Sequence, residues 1–249
     1  MKNSREFIIE KFREVEKLGF VKSNRKHNTG IGKTFEDYVG VVENNIDEPD
    51  LAGFEIKAHR EESQSYVTMF TKSPDFPTKA NAYLNSRFGS PYENNPGLNK
   101  LHTSMFASRF NTSNGKYSFR LINDRDARLL KIGVYDINTK TLLDNTAGYT
   151  YDRLEKKLSK KLKSLFYVSA EREYRGNDEF FHFNKAEIYL EPSLECFLKL
   201  VDEGLIMYDI RIGSYQSGAH YGKPHDHGSC FRILAPNLRL LYDEHEVIE

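Results

Sequence analysis

The sequence predicts an α/β fold in which a mixed sheet is flanked by helices, and three observations carry that expectation. After Ser4, a residue type that caps helices, Phe7, Ile8, Ile9, Phe12 and Val15 recur at helical spacing, and Gly19 closes the run. Phe54 and Ile56 alternate with Glu55 and Lys57 behind a Pro/Gly-rich bend, the pattern of a half-buried strand. Pro192 opens a third run, Leu194, Phe197, Leu198 and Val201, which Gly204 ends and which leads directly into the strand-like segment 205–212. Helices alternating with strands in this way bury their apolar faces on a sheet. A chain of 249 residues accommodates one large domain or two lobes.

Composition narrows the class. Apolar residues make up 39 % and aromatics 13 %, with no Trp, so fifteen Tyr and seventeen Phe supply most of the core bulk. Thirty-six basic residues balance thirty-six acidic ones. Zero net charge argues against a purely electrostatic nucleic-acid binder, while leaving room for local basic surfaces. Cys196 and Cys230 show neither zinc spacing nor a disulfide framework and read as buried apolar residues. No apolar run approaches 18 residues and the first residues lack a signal-peptide core, so a cytoplasmic protein without a membrane span is expected.

The stretch with the most chemistry is Asp47-Glu48-Pro49-Asp50-Leu51-Ala52-Gly53-Phe54-Glu55-Ile56-Lys57. Glu55 and Lys57, two apart on a strand, share one face, and Asp50 at the bend can swing back toward them. Two carboxylates and the Ile56 carbonyl suit a hard divalent cation such as Mg²⁺. Lys57 beside them can hold a water or neutralise charge building on a phosphate. Taken alone, Glu-x-Lys is also a common wet face of a solvated strand. Upstream, Asn28-Thr29-Gly30-Ile31-Gly32-Lys33-Thr34 lacks Walker spacing and follows no buried strand. It reads as a loop entering a helix that packs Phe35, Val39 and Val42 and brings Glu36 toward Asp50 and Glu55. Glu36 equally fits an ordinary helix acid favoured by the dipole.

The helix bearing Glu36, then Asp50, then Glu55-Ile56-Lys57, then the apolar strand Tyr66-Val67-Thr68-Met69-Phe70, resembles the nuclease core shared by MutH and its restriction-endonuclease relatives, closest to the MvaI/BcnI group. The resemblance is specific from about Gly30 to Phe70. It implies a PD-(D/E)xK restriction-endonuclease-like core with a DNA-recognition lobe. In that core Asp50, Glu55 and the Ile56 carbonyl are metal ligands, Lys57 is the motif lysine and Glu36 the extra helix acid. It further implies Mg²⁺-dependent cleavage of double-stranded DNA at a short CCNGG-type site, CCWGG preferred, leaving 5′-phosphates. A monomer that nicks each strand in turn, with a cognate DNA methyltransferase as genetic partner, is also implied. Partner-dependent mismatch-repair nicking and sequence-specific DNA binding without chemistry remain as alternatives.

Between these segments, residues 73–98 are rich in Pro, Asn and Gly and read as a long loop. Tyr117–Leu121 alternates as a strand, and 129–137 with 141–143 form a hairpin around Asn138-Thr139-Lys140. Leu154, Leu158, Leu162 and Leu165 give a helical stripe whose other faces carry Arg153, Lys156, Lys157, Lys160, Lys161 and Lys163. A solvated amphipathic helix explains those lysines more readily than a DNA-binding surface does.

Near the C-terminus, Tyr208, Ile210 and Ile212 share one face of a strand, and Asp209 and Arg211 share the other. Lys223-Pro224-His225-Asp226-His227-Gly228-Ser229-Cys230-Phe231-Arg232 follows. Arginine matches O6 and N7 of guanine, and a carboxylate accepts from the N4 amino group of cytosine. Asp209, Arg211, His225, Asp226, His227 and Arg232 are therefore the expected readers of base or phosphate. Zinc held by His220, His225 and His227, or an Asp-His loop that only shapes the terminus, are the competing readings. The division expected is a nuclease lobe over 1–165 and a recognition lobe over 166–249.

Overall fold

The computed structural model describes residues 4–27, 29–41, 48–61 and 65–248. Asn28, Val42 and Asp47, which entered the sequence expectations, lie outside them. In chain order the elements are α1 (Ser4–Glu16), β1 (Val21–Lys22), α2 (Gly30–Val39), β2 (Glu55–Arg60), β3 (Tyr66–Thr71), α3 (Ala80–Phe88), β4 (Ser90–Tyr92) and β5 (Asn95–Met105). Then follow β6 (Tyr117–Asp124), β7 (Leu129–Asp136), β8 (Leu142–Thr150), α4 (Tyr151–Lys161), β9 (Ser164–Arg175) and β10 (Asp178–Pro192). The chain continues through α5 (Leu194–Asp202), β11 (Ile206–Ser214), β12 (Pro224–Asp226), β13 (Cys230–Leu234) and β14 (Tyr242–Ile248).

Two compact units result, and they are interleaved in sequence. The first comprises Met1–Ser65, Lys157–Ser193 and Arg239–Glu249; the second comprises Tyr66–Lys156 and Leu194–Leu238. This differs from the expected single boundary near residue 165. The long-range pairing of β2 with β9 draws segments from both sides of that boundary into one sheet.

The first unit is a mixed sheet in the order β1-β10-β9-β2, with β14 also paired to β10. β2 runs parallel to β9, and β10 runs antiparallel to β9, β14 and β1. Ile56, Phe166, Val168, Phe181, Phe183 and Ile188 form one face of the core. Ile8, Phe12 and Val15 of α1 and Ile31, Phe35 and Val39 of α2 complete it. α2 begins at Gly30, so the glycine-rich segment is helix rather than the expected loop. A Cβ at Gly30 would lie 2.3 Å from the Arg25 carbonyl oxygen, which is why this first turn needs glycine. Gly40 ends α2 in the left-handed conformation.

The second unit holds a six-stranded sheet in the order β3-β13-β11-β5-β4, with β12 paired to β11, and a meander β6-β7-β8. Its core is aromatic: Phe70, Tyr149, Phe197 and Tyr208 all place rings 5.1–5.3 Å from Phe231 or, for Phe70 and Phe197, from each other at 6.1 Å. Residues 73–98 are more ordered than the sequence suggested. Ala80, Leu84 and Phe88 are buried at i, i+4 and i+8 of α3, and the Asn/Pro/Gly-rich stretch that follows it makes β4 and the start of β5. The predicted hairpin appears as β7 and β8, and the predicted basic helix as α4, but Leu165 belongs to β9.

Candidate functional site

The acidic stretch is built by a two-residue turn. Leu51 and Phe54 exchange backbone hydrogen bonds, Leu51 N–H to Phe54 O at 3.0 Å and Phe54 N–H to Leu51 O at 2.8 Å. Between them Ala52 and Gly53 both have positive φ, 51° and 86°. Two left-handed residues in a row make the tight turn that folds a chain back antiparallel to itself. Asp50 is thereby returned alongside the start of β2, where its Oδ2 accepts a 2.8 Å hydrogen bond from Ile56 N–H. The expected swing of Asp50 toward the Glu55 segment thus has a specific cause.

Glu55 opens β2 with a side chain only 8 % exposed. Its Oε1 accepts from Lys57 Nζ, and its Oε2 lies 3.4 Å from Lys161 Nζ. Lys161, at the end of α4, also donates to the Glu48 carbonyl at 2.9 Å. A buried carboxylate flanked by two ammonium groups is a charge arrangement the fold must satisfy from both sides. Lys161 is the functional candidate that sequence reasoning passed over, since it looked like one more lysine on a basic helix. Glu55 and Lys57 share the sheet face with Leu165 and Tyr167 of β9 and Glu187 and Tyr189 of β10, as the register requires. On this face Tyr189 donates to Glu187 at 2.5 Å, and His245 pairs with the same carboxylate at 2.8 Å. Burial, with the charge of Glu55 adding to it, holds the Tyr242 phenol proton on well above its ordinary range.

Glu36 is half-buried on α2, the helix that packs against β2. The geometry thus pairs Glu55 with Lys57, fastens Asp50 to the Ile56 amide between them, and puts Glu36 on the neighbouring element. Asp50 and Glu55 are hard oxygen donors on adjacent backbone, which is the donor chemistry that Mg²⁺ prefers, so the residues present fit that ion.

In the second unit, Asp209, Arg211, Arg232, His225 and His227 gather on the face of the six-stranded sheet opposite its aromatic core, while Asp226, in register with Ile212, turns to the core side, where Asn81 links it to Tyr208. Asp209 is fully buried. Its oxygens accept from Ser104 Oγ at 2.8 Å, Arg211 Nε at 2.9 Å and Arg211 Nη2 at 2.8 Å, and Arg232 Nε lies 3.3 Å away. Asp226 caps the loop before β13: its Oδ1 accepts from Gly228 N–H, Ser229 N–H and Ser229 Oγ at 2.8–3.0 Å, and its Oδ2 from Asn81 at 2.5 Å. Burial works against the Asp226 charge, but these donors outweigh it and hold the carboxyl below its usual range. His225 stacks on Tyr215 with centroids 4.2 Å apart and rings 5° from parallel, and it touches His227 at 4.2 Å. His227 in turn meets His102 edge to face at 5.9 Å. Arg211 and Arg232 keep side chains 39 % and 32 % exposed. Among the described residues no three His, Cys, Asp or Glu side chains converge, in this cluster or around Asp50 and Glu55.

The model of the MvaI/BcnI restriction endonuclease family matches residues 9–242. The chain belongs to that family. It is a type II site-specific deoxyribonuclease, and the α/β expectation with helix-flanked sheets holds. The family resemblance extends over the whole fold. A structure of restriction endonuclease MvaI in complex with cognate DNA is 35 % identical, with 100 % of both chains covered and a TM-score of 0.89. MvaI in the absence of DNA is likewise 35 % identical over 100 % of this chain and 99 % of that one, with a TM-score of 0.68. Among curated proteins, none matches. In this chain the Asp50–Glu55–Lys57 set sits in the first unit and the Arg211–Arg232–histidine set in the second. No helix of the described residues is long and apolar enough to cross a membrane.

Proposed function

We propose that this restriction endonuclease requires Mg²⁺ and cuts double-stranded DNA within a short G·C-rich site of the CCNGG type, CCWGG preferred. It leaves 5′-phosphates and acts as a monomer that nicks each strand in turn; a cognate methyltransferase is its genetic partner. The observation that carries the chemistry is Glu55 held between Lys57 and Lys161 while Asp50 is fastened to the Ile56 amide. Asp50 and Glu55, with the Ile56 carbonyl, would hold the ion, with Glu36 as a further acid on the neighbouring α2. When bound, the ion supplies Lewis-acid stabilisation of the charge that gathers on the phosphoryl group and the leaving 3′ oxygen. Lys57 orients the attacking water in line with that oxygen and faces the developing negative charge. Arg211 and Arg232, oriented by Asp209, present donors to guanine, and His225 and His227, shaped by the Asp226 cap, complete the reading surface.

Incubating the protein alone with phage-length DNA and Mg²⁺, then sequencing the fragment ends, tests this reading. Discrete fragments that share one CCNGG-type motif and begin with 5′-phosphates are expected, and a single-site plasmid passes through an open circle before becoming linear. Fragments sharing a different motif would overturn the site assignment. Linear plasmid without a nicked precursor would overturn cutting in turn.

A further inference from the structure

A protein that reads a G·C pair in the major groove needs a donor pair for guanine and an acceptor for the cytosine amino group. The obvious acceptors here are Asp209 and Asp226, but an ionised carboxylate offers about four acceptor positions. Asp209 accepts from Ser104 and from both bonding nitrogens of Arg211, Arg232 adds an ion pair at 3.3 Å, and no part of it is exposed. Asp226 accepts from Gly228, Ser229 twice, Asn81 and Ser73. Both acids are committed to holding protein groups.

Arg211 is gripped on one edge only. Nε and Nη2 face Asp209, which leaves the Nη1 edge of the guanidinium as a second fork. Directly across from Arg211, in register on β5, stands His102. Paired residues of adjacent strands project from the same face. His102 is therefore on the polar face with Arg211, and it is exposed. We propose that His102 and Arg211 together read one G·C pair, Arg211 donating to guanine O6 and N7 while the unprotonated ring nitrogen of His102 accepts from the N4 amino group of cytosine. His102 is then a specificity residue that the sequence motif did not contain, and this assignment rests on the nuclease reading above.

The surroundings suit that role. An imidazole accepts a hydrogen bond only when neutral. Partial desolvation by the neighbouring side chains disfavours the imidazolium at His102, and Arg211 on β11, His227 on the loop before β13 and Lys100 on β5 add to it. Asp209 on β11 opposes them, yet the balance holds the ring below its ordinary range. The edge-to-face contact with His227 fixes the ring's position.

The test is a cycle between the protein and the base. Once the cleaved site is mapped, each cytosine in a short duplex is replaced in turn by 2-pyrimidinone, which lacks the amino group. kcat/KM is then measured for wild type, His102→Ala and His102→Gln. At one cytosine, wild type is expected to lose about 10- to 100-fold. His102→Ala is expected to be reduced by a similar factor on the natural site and to lose no more than about twofold further on the analogue. His102→Gln, which retains an acceptor, recovers part of the activity on the natural site only. Equal losses for wild type and His102→Ala at every cytosine would overturn the assignment, as would wild-type rates for His102→Ala on the natural duplex. Unchanged non-specific DNA binding by His102→Ala shows that the variant is folded. Absence of discrete cleavage by wild type would instead defeat the nuclease reading itself.

Discussion

Two lysines on one buried carboxylate divide the work at Glu55. Lys57 lies two residues from Glu55 on the same strand face and can turn toward a phosphate without leaving the sheet. Lys161 comes from a helix 106 positions away and is fixed at its far end by the Glu48 carbonyl. The two should therefore respond differently to substitution. Lys57→Ala is expected to lower cleavage by about 10²- to 10³-fold. Specific binding without divalent ion, measured by gel shift, should be retained. Lys161→Met is expected to act through Glu55: cleavage falls by roughly 10- to 150-fold, the equivalent of losing one charge-assisted contact of about 1.5–3 kcal/mol. Titration of the protein with Mn²⁺ by calorimetry should show an altered affinity, and Lys161→Arg should restore part of it. An unchanged Mn²⁺ isotherm would mean that Lys161 only braces the helix. The placement of Asp50 against β2 and of Glu55 beside Lys57 was legible in the sequence, because strand alternation and a nearby bend are local patterns. Lys161 was not, because its partner is distant and its neighbours on α4 are also lysines. The commitment of Asp209 and Asp226 to protein donors was hidden for the same reason: Ser104, Asn81 and Arg232 reach them from other elements.

Local elements were readable wherever a period was clean. α1, α5, β11 and the β7–β8 hairpin lie close to where their apolar spacing puts them. The failures have physical causes. Asn, Pro and Gly around α3 suggested irregular backbone, but Ala80, Leu84 and Phe88 bury one face and tertiary packing outweighs weak propensity. Gly30 and Gly32 suggested a loop, whereas Gly30 is the close-approach point of a helix start. The turn at Ala52–Gly53 yields a sharper expectation. With φ at 86°, Gly53 occupies a region where a Cβ costs about 1–2 kcal/mol. Gly53→Ala is expected to destabilise the protein by about that amount in urea titration and to lower cleavage more than stability alone explains, because the turn sets Asp50 against the Ile56 amide. Parallel loss of both, or no loss of cleavage, would show that the turn does not position Asp50.

At the scale of the whole molecule, charge is balanced in sum but not in protonation. Asp37, Asp124, Asp136, Asp144, Asp226 and Glu187 all hold their carboxyls below the ordinary range. At Asp226 and Glu187, burial opposes the charge and is outweighed by the surrounding donors. The unfolded chain binds protons at these carboxyls at higher pH than the folded one. Their contribution is therefore fully present above about pH 4.5 and is lost as pH falls through the lower folded values. The urea midpoint should drop between pH 6 and pH 3.5. Asp226→Asn should show a shallower drop than wild type, since it removes one of the titrating groups. A midpoint independent of pH would contradict this ledger of paired acids.

The interleaving of the two units also has a consequence in time. β2 carries Glu55 and Lys57, yet its hydrogen-bond neighbour in the sheet is β9, and the whole first stretch of the second unit is translated between them. A nascent chain that has cleared the ribosome through residue 150 already bears Asp50, Glu55 and Lys57. It lacks both the strand that supports β2 and the Lys161 that fastens Glu55. The residues proposed to cut are made early and assembled late. An incomplete polypeptide of that length therefore lacks both contacts that organise the proposed centre around Glu55.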